Sequence, residues 1–264
     1  MPVHQTHRGY RGPSTLLRRA FRRSYDPTKP LGNNACMLST EEISIIALSL
    51  KVAAVSVLFS VPLALACAML LARVTFPGKT LFDAFVHLPL VLPPVVIGYF
   101  LLVLFGRKGA IGSVLDQWFG VMFAFRWTGA ALAAAVMGFP LMVRAMRLSL
   151  EAMPPKLECA ARTLGASRWR VFLTVTLPLA LPGVAVGVLL AFARSLGEFG
   201  ATITFVSNIP GETQTLPLAI YSLTQSPGGD DAIMRLCALS IVLSLAALAA
   251  SEWINRRLQK RLGA

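Results

Sequence analysis

In the apolar stretch that begins at Pro182, Arg194 and Glu198 stand four residues apart, a spacing that puts them on one helix face. Charges so deep in a hydrophobic run are expensive and by default functional. Arg194, with Ser195 beside it, could attract a dianion while Glu198 keeps the site from trapping it, since a conduit must bind weakly enough to release. The same pair could instead relay a proton, or merely pin helices together. Its order along a helix, cation before carboxylate, is the weaker one for the dipole. Thr213, Gln214 and Thr215 add neutral donors that suit an oxyanion, in what could equally be an ordinary loop.

A second group of residues suits contact with a protein rather than a solute. Pro154 and Pro155 can open a helix, Lys156 to Leu164 can continue it, and Gly165 can stop it. Ala160 and Ala161, with Gly165, leave one side of that helix nearly bare, so another surface could approach its backbone. Arg162, Arg168 and Arg170 surround it with positive charge, while Trp169 and Phe172 are aromatic anchors of the kind found at interface centres. Ser167 can cap a second short helix, and Leu177 and Pro178 close the segment.

The elements that must carry these groups are membrane spans. The chain has 264 residues, 55% hydrophobic and 14% charged, with several apolar runs near the ~20 residues that cross a bilayer. Five spans are expected, at about 43–72, 81–105, 128–150, 182–206 and 233–254, giving an all-α integral membrane protein. Ser39, Thr40, Glu41 and Glu42 make a plausible start for the first span, Pro62 should kink it, and Lys51 lies near enough to its outer end to snorkel. Pro89, Pro93 and Pro94 must break the second; such breaks survive only where protein or a water-filled cavity satisfies the freed backbone, so Pro93 and Pro94 line a pathway or mark a kinked packing helix. Residues 106–126 read as an outer loop with an interfacial amphipathic helix, Trp118 and Trp127 as aromatic-belt residues, and Leu216 to Leu223 as a short apolar piece that re-enters or caps the pathway.

The net charge of +13 follows topology rather than nucleic-acid binding. After Met37, twelve Lys and Arg fall on the side of the 154–178 segment and five on the other, which places that segment, and the C-terminus, in the cytoplasm. Residues 1–36 contain seven Lys or Arg and four Pro without apolar periodicity and should be disordered. They lie on the periplasmic side as a start-site artefact before Met37, a flexible tail or a basic membrane-surface arm; 37–259 is the membrane domain and 260–264 a cytoplasmic tail. Cys36, Cys67, Cys159 and Cys237 lack metal or disulfide spacing and read as small buried thiols. No GxxxxGK[ST] phosphate loop occurs, so neither enzymatic activity nor a cofactor is expected of this chain.

The pattern Ala160, Ala161, Gly165, Leu177, Pro178 resembles the cytoplasmic coupling loop of bacterial ABC importer permeases, whose usual form is EAA, three residues, G, then LP after a further stretch. The family's glutamate would fall on Cys159; here the carboxylate comes one residue earlier, at Glu158. Three runs, 87–112, 158–183 and 192–223, are similar to the molybdate permeases of that family; sulfate permeases share much of FARSLGEFGA and match GETQTLP less well. The resemblance implies a type I (MetI-like) permease fold, a homodimer, two cytoplasmic ATPase subunits that use ATP and Mg, and a periplasmic oxyanion-binding protein. Molybdate is the implied cargo, with tungstate, sulfate or thiosulfate as alternatives and secondary transport as the competing class.

Overall fold

The computed structural model describes residues 39–226 and 229–262, and among them every regular element is helical. The basic segment 1–36, with Cys36, lies outside the described residues. Helix α1 (Thr40–Arg73) starts where its acidic first turn suggests: the Ser39 hydroxyl accepts from the Glu42 N–H and the Glu42 carboxylate accepts from the Ser39 N–H, a reciprocal cap. The helix runs on through Pro62 to Arg73.

The second expected span is two helices, α2 (Lys79–Val91) and α3 (Pro94–Phe105), bent by 112° at Leu92 and Pro93. Two consecutive prolines remove two backbone donors, and the residue before a proline is pushed out of the helical region, so the chain turns there. Helix α4 (Ala110–Phe119) forms within the 106–126 segment, and α5 (Trp127–Glu151) is the third span. Lys51 lies in α1 with its ammonium 3.7 Å from the centroid of the Trp127 ring at the start of α5.

After the short α6 (Pro155–Thr163), the structure departs from the expected fourth span. Instead of a separate short helix at Ser167 and a span over 182–206, α7 runs from Arg168 to Leu196, with π-helical geometry over Phe172–Thr176. The Leu177 N–H bonds five residues back to the Phe172 carbonyl, just before Pro178, whose nitrogen has no proton to give. The wider turn carries the helix past Pro178. At its other end α7 stops at Leu196, Gly197 to Phe199 are non-helical, and α8 (Gly200–Val206) follows as a separate piece. Then come α9 (Leu216–Thr224) and α10 (Asp230–Leu262). Among the described residues, four helices are long and apolar enough to cross a membrane, and the bent α2 and α3 make a fifth if counted as one span.

Helices α1, α5 and α7 form the centre of the bundle. Toward the α6 end the core is Leu71, Met142, Met146 and Leu150; toward the opposite end it is Val52, Ala130, Ala134, Met137 and Phe205. Helix α9 packs on α10 and is tied to α1 by the Leu216 N–H, which donates to Ser49 Oγ at 2.8 Å. Helix α10 is scarcely buried along its apolar length.

Candidate functional site

The elbow made by α6 and the start of α7 forms as its residue types demand. Pro155 occupies the first turn of α6, and Gly165 adopts φ +84°, which lets the Gly165 and Ala166 N–H groups fold back onto the Arg162 and Ala161 carbonyls. A side chain at Gly165 would meet nothing within 4 Å, so the constraint there is the left-handed backbone alone. Ser167 caps the next turn by accepting from the Arg170 N–H.

Glu158 anchors this elbow to the bundle. Its Oε1 accepts from Arg73 Nη2, the last residue of α1, and from Thr176 Oγ1 in the π-helical turn of α7, each at 3.0 Å. Ala161 is half-buried, whereas Ala160, Gly165 and Arg168 are exposed. So are Leu164 (88%) and Trp169 (76%), and the Trp169 ring meets Phe172 edge-on at 6.0 Å. Leu177 and Pro178 are half-buried and steer the chain into the bundle. Cys159 is exposed, not a buried thiol as expected, because α6 turns that face to solvent; Cys67 and Cys237 are half-buried. Sequence reading missed Arg73 and Thr176 as partners of Glu158. Arg73 lies 85 residues away and no local pattern points to it.

A second cluster lies where two helices break. Glu198 is not inside a helix, as the apolar run suggested, but in the gap between α7 and α8. Its side chain is 1% exposed; Oε1 accepts from the Ala201 N–H at 2.9 Å, and Arg194 Nη1 lies 2.6 Å from Oε2, outside hydrogen-bond alignment. The break reverses the dipole argument: Arg194 is in the last turn of α7 and Glu198 stands at the start of α8, each at its favourable end. Ser195 is buried beside them, its hydroxyl 3.1 Å from Ser56 Oγ of α1.

The proline break in α2 and α3 meets this one. A Cβ on Gly200 would come within 2.8 Å of Pro94 Cβ, and one on Gly98 would lie 2.5 Å from the Ala201 carbonyl oxygen, so α3 and α8 touch through backbone. Pro93 itself is exposed. The loop donors behave differently from one another. Thr213 is fully buried and its hydroxyl serves the loop, donating to the Ser207 carbonyl and accepting from the Ile209 N–H. Thr215 is buried with a hydroxyl that has no protein partner. The structure thus brings Pro94, Ser195 and Glu198 into one region and keeps the elbow at the other end of α7.

Comparison with known proteins matches this architecture. The chain is 62% identical over 227 residues to the molybdenum transport system permease protein ModB of Escherichia coli, covering 86% of this chain and 99% of that protein. It is 64% identical over 222 residues to the corresponding protein of Haemophilus influenzae, covering 84% and 97%. Among solved structures, a bacterial ABC transporter involved in import of the polysaccharide alginate superposes with a TM-score of 0.68 at 19% identity, covering 92% of this chain and 90% of that one. Residues 60–263 match the binding-protein-dependent transport system inner membrane component family, and the chain, with its helical bundle, bent spans and protruding elbow, is a member of that family.

Proposed function

We propose that two copies of this chain form the membrane pathway of an ATP-driven molybdate importer, energised by two cytoplasmic ATPase subunits and supplied by a periplasmic oxyanion-binding protein. The observation that carries the reading is the elbow. A helix with exposed apolar and cationic side chains, clamped by Glu158 to two long helices, is a rigid handle for a partner. The excess of Lys and Arg at that end supports a cytoplasmic elbow and C-terminus, with the N-terminus on the periplasmic side. The relatives named above support molybdate as cargo.

ATP and Mg act in the ATPase subunits; the part of this chain is mechanical. When the two ATPases close on nucleotide they carry both elbows with them, and the Arg73, Glu158 and Thr176 contacts pass the displacement to α1 and α7. The meeting of Pro94 with Gly200 is then the place where the bundle parts or seals, with Arg194, Ser195, Glu198 and Thr215 near the path.

ATP-dependent uptake of molybdate by the reconstituted complex, with tungstate and sulfate as competitors, tests the reading. Molybdate should be taken up, and Gly165→Leu should uncouple hydrolysis from uptake, because any Cβ at φ +84° is strained by roughly 1–2 kcal/mol and re-aims the elbow. Uptake without ATP hydrolysis would refute it in favour of secondary transport, and stronger competition by sulfate than by tungstate would change the cargo.

A further inference from the structure

Among the described residues, one arginine of α5 stands without a carboxylate, well inside the helix rather than at its end. In α5 and α7, Arg147 is 3.0 Å from Asp83 and 2.7 Å from Glu151, and Arg194 has Glu198. Arg144 is exposed and has no carboxylate within 4.0 Å among the described residues. It is seven residues from the α6 end of α5, about 10 Å at 1.5 Å per residue, and seventeen from Trp127, about 26 Å. A hydrocarbon core is about 30 Å thick, so Arg144 falls within it, toward the elbow side. An unpaired guanidinium at such a depth normally faces a water-filled cavity rather than lipid.

The cavity is there. Arg144 borders a groove of about 550 Å³ between α5 and α7, with Leu141, Leu148, Val186 and Leu190 as its walls. Arg144 is its only charged lining residue. The groove does not continue along the helix. Met137 and Ala130, seven and fourteen residues back on the same face of α5, are buried in a cluster with Ala201, Phe205 and Val206 of α8. Helix α8 is the roof, and its Gly200 is the residue pressed against Pro94. So the groove is lined by α5 and α7, and farther along the same face of α5 that helix is covered by α8, next to the paired helix breaks.

We infer that Arg144 is the residue that receives the oxyanion cargo once it has passed the helix breaks, and holds it briefly on the elbow side before release. The inference rests on the proposed import of an oxyanion. Arg194 is largely neutralised by Glu198, so the free positive charge that borders the groove is that of Arg144. Two copies supply two such charges to a dianion. The apolar walls offer no further donors, which keeps the affinity low enough for the anion to leave.

The test uses the complete complex, with its ATPase subunits and binding protein, in phosphatidylcholine vesicles. Arg144→Ala should lower molybdate uptake per ATP hydrolysed about tenfold, the loss expected for one charge-assisted contact, while complex assembly and stimulation of the ATPase by the binding protein stay within about twofold of wild type. Arg144→Lys should recover most of the uptake. In a chain whose four natural cysteines are replaced by serine, Arg144→Cys should be slow, a thiosulfonate carrying an ammonium group should restore uptake, and one carrying a sulfonate should not. Unchanged uptake in Arg144→Ala, or no rescue by the cationic reagent, overturns the inference. An effect that is absent in phosphatidylcholine and appears only with acidic phospholipid also overturns it, because the groove is then a lipid site. A wild-type complex that carries tungstate or sulfate but not molybdate overturns the cargo alone, and the Arg144 variants are then read with that anion; one that carries none of the three overturns both.

Discussion

Arg194 and Glu198 form one ion pair, yet removing either should have very different consequences. The carboxylate side chain is 1% exposed and the guanidinium 29%. Arg194→Ala therefore leaves an anion buried with a single aligned donor, the Ala201 N–H. Stripping one member from a buried pair typically costs about 3–5 kcal/mol. Glu198→Gln keeps an amide oxygen for Ala201 and leaves Arg194 able to turn toward water, so its loss should be about 1 kcal/mol. For a chain of this size each kcal/mol lowers the melting temperature by about 2–4 °C. Arg194→Ala should thus melt about 10 °C below wild type and Glu198→Gln a few degrees below. The double variant has no buried charge and should recover most of the larger loss. Heating the detergent-solubilised complex and following the surviving size-exclusion peak measures all three. Equal losses for the two single variants, or a double variant no better than Arg194→Ala, would refute the burial argument.

Three other outcomes are expected. Ser49→Ala removes the acceptor of the buried Leu216 N–H, at about 1–3 kcal/mol, and should show as faster amide exchange over 216–224 with α1 unaffected. Gly98→Ala places a methyl 2.5 Å from the Ala201 carbonyl oxygen; it should force α3 and α8 apart and lower the melting temperature, by an overpacking cost of about 1–3 kcal/mol. A maleimide should label exposed Cys159 well before half-buried Cys67 and Cys237, and the docked ATPase should protect it. Labelling of Cys159 at the same rate in the full complex would remove the elbow from the ATPase interface.

The spans were legible because bilayer thickness imposes a length on apolar runs, and the start of α1 because Ser39 and Glu42 bear the types and spacing of a reciprocal cap. The elbow was legible because proline and glycine restrict backbone angles locally, so Pro155 and Gly165 mark its ends. The gap at Gly197 to Phe199 was not. The apolar run resumes beyond it, and the ion pair and capped N–H that settle the break form only in the folded chain. The continuity of α7 through Pro178 was hidden for the opposite reason: prolines argue for an end, and a π-helical turn bypasses it. Thr213 illustrates the limit of reading donors from composition, since its hydroxyl belongs to the Ser207 to Thr213 loop. Arg144 could be read as an inner-end charge, but its lack of a partner beside the paired Arg147 is a fact of three-dimensional arrangement.

The clamp at Glu158 has a mechanical corollary. With one oxygen gripping the tip of α1 and the bulged turn of α7, the small helix between them cannot swivel on its own axis without tearing a bond on one flank or the other. On the proposed docking of an ATPase here, torque would reach both long helices together, as through a yoke. Shortening that grip, as in Arg73→Lys with its unforked ammonium, should introduce backlash, read as nucleotide turned over with less solute delivered.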